Sequence, residues 1–466
     1  MKKIKADAIF YEKPSFYIYI KQNKSKRKQE EIKMRKSKFL SVLTATTLAL
    51  TLAVPTVMPL ELTTGVVKAV EVTTTAPSQK IEGRCGDNAI YSYDEATRTL
   101  TISGTGAMWN GTKYSHLGTV DKIVIGNGIT VIGEDAFAKF NGVGSAEISD
   151  TVTTIKGNAF KDLKSITIPK TVRTVETDAF NGVGKVVVEG DMNNFQYGAL
   201  GSEVQEVQLK GSAETLGLAL AKADDPTVTI AKDNNRVRIA NECLVSSDGK
   251  TVYYRMANPD SYTVTIPDTA VTIKSAAFYN QVISVVKLGK NVTTIEPYAF
   301  AESHVLKLTT NSKLKKIGRC AFKGTIFLEK VTLKSSVAMG PKAFDQKVIL
   351  TSTKSLKSAK TVMTSATFKK NKINAKFAKL TGAKGYQVQI KKGGKTYRYF
   401  TTKTSIKVKA PKVFKKKYNV SFSYDIDNYT SKIEGKPAYI SVRPYKIVKK
   451  NKKSYGKWSE KIVLTK

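Results

Sequence analysis

Histidine is nearly missing from this chain: only His116 and His304 occur in 466 residues, far apart. That removes the side chain that most often moves protons near neutral pH. No His-Glu-x-x-His zinc motif occurs. Cysteine is as scarce. Cys85, Cys243 and Cys320 are too few and too scattered for a disulfide framework or a paired-cysteine metal site, although spacing alone leaves a Cys243–Cys320 bridge open. No Gly-x-Ser-x-Gly elbow and no P-loop occur, and the Gly104/Gly106 pair lacks the following helix pattern and Lys of a phosphate loop. Acidic charge is short too, with 38 Asp/Glu against 77 Lys/Arg and a net charge of +39. The carboxylate pairs Asp224-Asp225 and Glu134-Asp135 fall in polar turns, and His304 in a strand lead-in. The expectation is a protein without catalytic residues, metal or cofactor.

What the chain has in quantity is a period. Tyr298-Ala299-Phe300, Cys320-Ala321-Phe322 and Lys342-Ala343-Phe344 return about every 22 residues, the spacing of a solenoid coil. Between them runs a fixed apolar template: Ile283, Val286, Leu288, Val292, Ile295, then Ala299-Phe300. The same template recurs from Val120 to Phe137 and from Leu163 to Phe180, with Val152, Ile155, Ala159 and Phe160 between. Apolar residues two apart predict one short strand per coil with its apolar face inward. No coil can cover its own Phe, so six or seven coils are expected to stack and stand together. Cys320 is expected in the interior.

Around the repeats the chain divides by composition. Residues 1–33 read as a basic leader and 34–69 as an export signal, with Arg35, Lys36 and Lys38 before an apolar run and Val67-Lys68-Ala69 as cleavage site. Met34 serves as well as Met1 for a start. An uncleaved membrane anchor is the alternative, although Pro55, Pro59 and the threonines favour the signal. A Thr-rich linker (70–84) precedes a β-hairpin around Asp94–Arg98, expected as an N-terminal β cap (85–118). Repeat block 1 (119–200) is followed by an irregular segment (201–240), then repeat block 2 (241–350), opening on a hairpin with an Asp248-Gly249 turn. A linker (351–365) leads to a basic all-β domain (366–466). From residue 354 on there are 31 Lys/Arg against 4 Asp/Glu, so the positive charge belongs chiefly to the C-terminal end. Six strand-like segments there, including Tyr386–Ile390 and Tyr439–Tyr445, predict a β-sandwich. Pro444 predicts an edge strand or bulge.

The apolar strand, the frequent Pro and the Val-x-x-Ile-x-x-x-Ala-Phe ending resemble the BspA-like leucine-rich repeats of bacterial surface proteins, over about 119–190 and 241–350. The Cys85-Gly86-Asp87-Asn88 segment with Ser103-Gly104-Thr105-Gly106, and the Leu244–Thr251 hairpin, resemble companions of these repeats in secreted members. Gly382–Ile390, Tyr439–Tyr445 and Tyr455-Gly456-Lys457-Trp458-Ser459 resemble fibronectin type III modules of secreted clostridial-type proteins. Tyr418 and Tyr439 compete for that module's tyrosine corner. The resemblance implies a leucine-rich-repeat solenoid followed by an immunoglobulin-like sandwich, and an extracellular interaction surface.

Two binding surfaces are therefore expected. The first is the outward stripe of the repeat strands, Val124, Glu147, Thr167, Lys287, Lys307 and Thr332, facing host or bacterial surface proteins or matrix. The second is the lysine set Lys391, Lys392, Lys415, Lys416, Lys417, Lys449, Lys450, Lys452 and Lys453, placed in turns and free to meet a cell-wall polyanion, with nucleic acid second. Lysine outnumbers arginine, and no aromatic-plus-Arg platform is obvious, which weighs against base reading. The expected role is a secreted or cell-surface, non-enzymatic adhesion protein with no stable membrane span after signal cleavage. No Leu-Pro-x-Thr-Gly signal or C-terminal apolar anchor occurs, so retention is expected to be noncovalent. The alternative is an accessory carbohydrate-binding or polysaccharide-processing protein, with Tyr253 and Tyr254 as the tempting aromatic pair.

Overall fold

Each coil is built from three short pieces whose order follows the apolar template. In the computed structural model a strand such as Lys122–Ile125 or Ser165–Ile168 forms a long wall, a two-residue strand such as Thr154–Ile155 or Thr294–Ile295 forms a second, and the Ala-Phe turn closes the coil. The described residues are 80–466 except 112–113, 257–260, 346, 354, 412–413, 415–418, 423–430, 435–436, 450–451 and 465–466, with side chains also set aside at 419–422 and 431–434. The expected leader, signal and most of the first linker lie outside them. Strands of successive coils pair in parallel and in register, for example Val186 with Ile166 and with Val207. Inward Ile, Val and Leu at alternate positions are buried, as Ile123 and Ile125 show at 1% and 2% exposure.

The phenylalanines stack into two columns. In the first, Phe137, Phe160 and Phe180 lie 5.2 and 5.8 Å apart between ring centroids. In the second, Phe278, Phe300, Phe322 and Phe344 lie 4.6, 4.9 and 5.0 Å apart with nearly parallel rings. Backbone bonds hold the columns: the Phe300 N–H donates to the Ala321 carbonyl at 2.8 Å and the Phe278 N–H to that of Ala299 at 2.7 Å. The residue before Ala-Phe takes a left-handed backbone in every coil: Asp135, Asn158, Asp178, Ala276, Tyr298, Cys320 and Lys342, with φ between 50° and 58°.

The segment 201–240, expected to be irregular, continues the coils. Glu206–Leu209 and Thr227–Ile230 extend the same parallel wall in register. The Ala-Phe turn is kept with Leu in place of Phe: the Phe180 N–H donates to the Ala199 carbonyl and the Leu200 N–H to the Ala219 carbonyl, and Gly198 takes the left-handed position at φ 67°. The solenoid thereby reaches about 11 turns rather than six or seven. At the junction, the antiparallel hairpin Cys243–Ser246 with Thr251–Arg255 faces two cores: Leu244, Tyr253 and Tyr254 pack with the first block, Cys243, Val245 and Val252 with the second. Lys274 ties the blocks by ion pairs to Glu214 (3.3 Å) and Glu296 (3.4 Å). The N-terminal hairpin Gly86–Asp94 with Thr99–Met108 lies at the other end, its second strand pairing with Lys122–Ile125 and Ile129–Ile132.

Residues 351–365, expected as a linker, are packed. Ala359, Val362 and Met363 are buried, and the Lys342 N–H donates to the Met363 carbonyl at 2.9 Å. Lys379–Leu380 adds a parallel strand to the solenoid wall, Leu380 opposite Leu350. One apolar core runs from Phe344 and Leu350 through Met363 and Phe377 to Val388 and Val442. Beyond it the C-terminal region has, among its described residues, three antiparallel sheets, a two-stranded one of Asn419–Phe422 with Ser431–Glu434 and two larger ones, the first of Met363–Lys369, Lys372–Phe377 and Ser405–Lys409. The other holds Lys395–Thr401, Gly385–Lys392, Tyr439–Lys449 and Lys452–Tyr455, with Ile462–Val463 on Tyr439–Lys449. Pro444 sits in an interior strand opposite Tyr386, and the bulge falls later, at Ile447/Lys449. All the described residues belong to one compact unit, Thr75–Lys466.

Candidate interaction surfaces

On the long wall of the first block, register aligns Val124 with Glu147 and Thr167 with Val187 and Gln208. Glu147 and Thr167 are exposed there. Glu147 is partly neutralised, its carboxylate 2.6 Å from the Lys122 ammonium on the neighbouring strand. In the second block Thr265, Lys287, Thr309, Thr332 and Thr351 form the corresponding row. Lys307 does not belong to it. It pairs with Val285, two residues earlier on the strand than the row, so it shares a row with Val285 and, through the Leu308–Val331 pairing, with Lys330. The reason is a shift in that coil's template: Leu308 and Thr310 turn inward, and Leu306 is left 51% exposed.

Leu306 is part of a patch that the periodic reading missed. Among the described residues, twelve large hydrophobic side chains are exposed, and five of them, Tyr262, Val282, Leu306, Ile326 and Phe327, lie in the lead-ins to adjacent coils. The Leu306 N–H donates to the Ser284 carbonyl and the Ser284 N–H to the Tyr262 carbonyl, at 2.9 and 2.8 Å, so these lead-ins run side by side. His304 joins them edge-on to Phe327 at 6.0 Å. Lys307 and Lys330 stand at the start of the strands that follow. The missed signal was the doubling of apolar residues just before a strand, as in Ile326-Phe327.

The C-terminal lysines divide. Lys391, Lys449, Lys452 and Lys453 are exposed, on strands rather than in turns. Lys392 is a correction: it is 6% exposed, its side chain turning to the core side of its strand with the ammonium 5.0 Å from the Phe414 ring centre, and burial lowers its pKa. Lys415, Lys416, Lys417 and Lys450, like Tyr418, lie outside the described residues. Past Lys323, and Lys392 aside, no ion pair of a Lys or Arg is found among the described residues.

The same region holds an aromatic and cationic face that sequence reading missed. Arg443 lies between Tyr455 and Trp458, its guanidinium 4.0 and 4.5 Å from their ring centres, and its Nε donates to Gln387 Oε1 at 2.8 Å. Lys453 stands 4.6 Å over the Phe400 ring and 5.4 Å from that of Tyr445. These rings come from three separate strands and a loop, so no local pattern announces them.

The residues considered for chemistry are held in structural roles. Cys85, Cys243 and Cys320 are buried and unpaired with one another, and burial pushes the Cys243 thiol up to about 12, leaving it protonated and unreactive. His116 Nε2 is 3.1 Å from the Tyr91 hydroxyl. Asp135 and Asp225 occupy left-handed turn positions. Tyr253 and Tyr254 are 5% and 6% exposed, and the Tyr253 hydroxyl donates to Glu214 at 2.9 Å, so they form no open platform. Among the described residues no acidic, His or Cys cluster with metal-ligand geometry occurs, and no helix is long and apolar enough to cross a membrane.

The family model described as BspA type leucine rich repeat region matches in six copies, over residues 109–208 and 251–374, so both blocks are similar to BspA-type repeats. No curated protein sequence matches the chain significantly. Among solved structures, the pneumococcal vaccine antigen PcpA matches at 14% identity, covering 59% of this chain and 82% of that one, with a TM-score of 0.41. A leucine-rich repeat protein from Eubacterium ventriosum matches at 17% identity over 60% and 86%, TM-score 0.36. A leucine rich cell surface protein from Faecalibacterium prausnitzii matches at 13% over 59% and 89%, TM-score 0.37.

Proposed function

We propose that this is a non-enzymatic, surface-associated interaction protein whose repeats dock a protein partner and whose basic C-terminal region holds the chain on an anionic cell wall. The observation that carries the docking role is the apolar corner of Tyr262, Val282, Leu306, Ile326 and Phe327. Exposed hydrophobics gathered in adjoining lead-ins are a mark of interaction sites, and the neighbouring Lys307 and Lys330 select a partner segment with apolar anchors and acidic flanks. The second block's row through Lys287 and Thr332 is the adjoining wall such a segment would lie along, and Glu147 and Thr167 on the first block's wall offer a separate polar surface. The export signal before residue 70 places the chain outside the cytoplasm on this reading. The hairpin Gly86–Asp94 with Thr99–Met108 serves as N-terminal cap, since it ends the stack with buried Tyr91, Tyr93, Leu100 and Ile102. The two larger C-terminal antiparallel sheets serve as a fibronectin type III-like sandwich, supported by their shared core.

The test is adhesion of labelled full-length chain to epithelial and bacterial cells. Leu306→Asp with Phe327→Asp, both at exposed positions, is expected to abolish cell binding while leaving the melting temperature within about 2 °C, because exposed sites tolerate polar substitution. Undiminished binding by this variant overturns the docking role.

A further inference from the structure

Wall retention by a basic surface needs no particular residue, yet the outward face of the four-stranded path contains a fixed guanidinium. The Arg443 stem rises from Tyr439–Lys449 beside Gln387, and three contacts orient its head: the 2.8 Å bond from Nε to Gln387 and the rings of Tyr455 and Trp458. Nε is thereby spent, and no described group takes the terminal amino groups. Arg398 sits on the same face, across Gln389 in the neighbouring register, and is exposed. Burial lowers the Arg443 pKa first, Tyr455 opposes it, and Arg398 lowers it further, so two like charges face each other across a strand. Lys453 adds a third cation, held over Phe400 and Tyr445, whose rings follow one another at 6.0 Å and continue to Tyr455 at 6.1 Å.

Several features point to an anionic group. A planar guanidinium offers paired N–H donors that match the oxygens of a phosphate. Stacking and the Gln387 bond remove the rotational freedom a free arginine would lose on binding. Like charges gathered with no carboxylate among the described residues beside them repel until an anion enters. The rings meanwhile carry cations on their faces, so they are less available to stack on sugars or bases. We infer that Arg443, Arg398 and Lys453 form a specific anion site that takes the phosphates of a phosphodiester-linked wall polymer. The inference rests on the wall-retention reading and gives it an address: one face of one sheet.

The test uses the full chain and purified poly(glycerol phosphate), with affinity followed by calorimetry at low salt and heat stability followed in parallel. Arg398→Gln is expected to weaken binding about tenfold, the scale of one charge-assisted contact. Arg443→Lys, which keeps charge but loses the fork, is expected to weaken it similarly. Lys407→Gln removes one charge from the outward face of the opposite sheet, where Lys407 is exposed, and is expected to change affinity less than twofold. Equal losses in Arg398→Gln and Lys407→Gln overturn the site and leave diffuse retention standing. Failure of the parent chain to bind the polymer overturns both. Because Arg398 has no packing role, its variant keeps the test decisive even if Arg443→Lys unfolds.

Discussion

The residue before each Ala-Phe passes through the left-handed backbone region, and the two blocks fill it differently. The first uses Asp135, Asn158 and Asp178, residue types that tolerate it; the second uses Ala276, Tyr298, Cys320 and Lys342. A Cβ-bearing residue of ordinary type is strained there by about 1–2 kcal/mol. Lys342 is exposed, so Lys342→Asn is expected to raise stability by about 0.5–1 kcal/mol, read as a higher midpoint in urea. Phe300 shows the reverse case. It lies 4.6 and 4.9 Å from its two stacked neighbours, and Phe300→Ala is expected to cost about 3–5 kcal/mol by opening a cavity in a column that cannot collapse. At the Asp248-Gly249 turn the Ser246 hydroxyl and the Lys250 N–H bond the Asp248 carboxylate, bringing its pKa to about 2 from an ordinary 3.8. A carboxyl depressed in the folded state stabilises above its unfolded pKa and loses that contribution as pH falls. Asp248→Ala is therefore expected to be less stable than the parent at pH 7, the gap closing between about pH 4 and 2; a gap independent of pH would contradict the assignment.

At the scale of elements, the C-terminal region is the solenoid's end wall. Leu380 continues the wall beside Leu350, and Met363 accepts from Lys342. Removing residues 351–466 would bare Leu350, Phe344 and Met339, all now buried, and leave an unpaired strand edge. Such a truncation is expected to self-associate on gel filtration, whereas a monodisperse, stable product would show the end wall to be dispensable. The coils were legible in the sequence because a 22-residue period leaves Ile, Val and Phe at fixed offsets. Segment 201–240 was not, because Ala199-Leu200 and Ala219-Leu220 replace the Phe that marks the turn. The register of the coil around Lys307 was misread for a related reason: Thr310 fills an inward position normally taken by an aliphatic residue, so Leu306 looked like part of the template. Lys392 looked exposed by residue type, but an alternating strand sends it to the core side. The Arg443 face depends on Tyr455 and Trp458 meeting Arg443 across a hairpin and a loop, a contact between distant residues that composition does not encode.

For the whole molecule, charge is distributed unevenly along the chain. Block 2 has 15 Lys/Arg against 8 Asp/Glu over residues 241–350, and the C-terminal end is far more basic. Beyond Lys323 the described cations far outnumber the described carboxylates, so an excess of positive charge is left for counterions from solution or from a partner. Electrostatic retention of this kind weakens as salt shortens the screening length from about 10 Å at 0.1 M to about 3 Å at 1 M. The direct measurement is co-sedimentation of the intact chain with isolated Gram-positive walls across a salt series, before and after the wall polyanions are stripped. The expected result is pelleting at low salt, release as salt rises, and little pelleting on stripped walls. Retention that survives both salt and stripping, or a chain that stays in the supernatant throughout, would contradict the account.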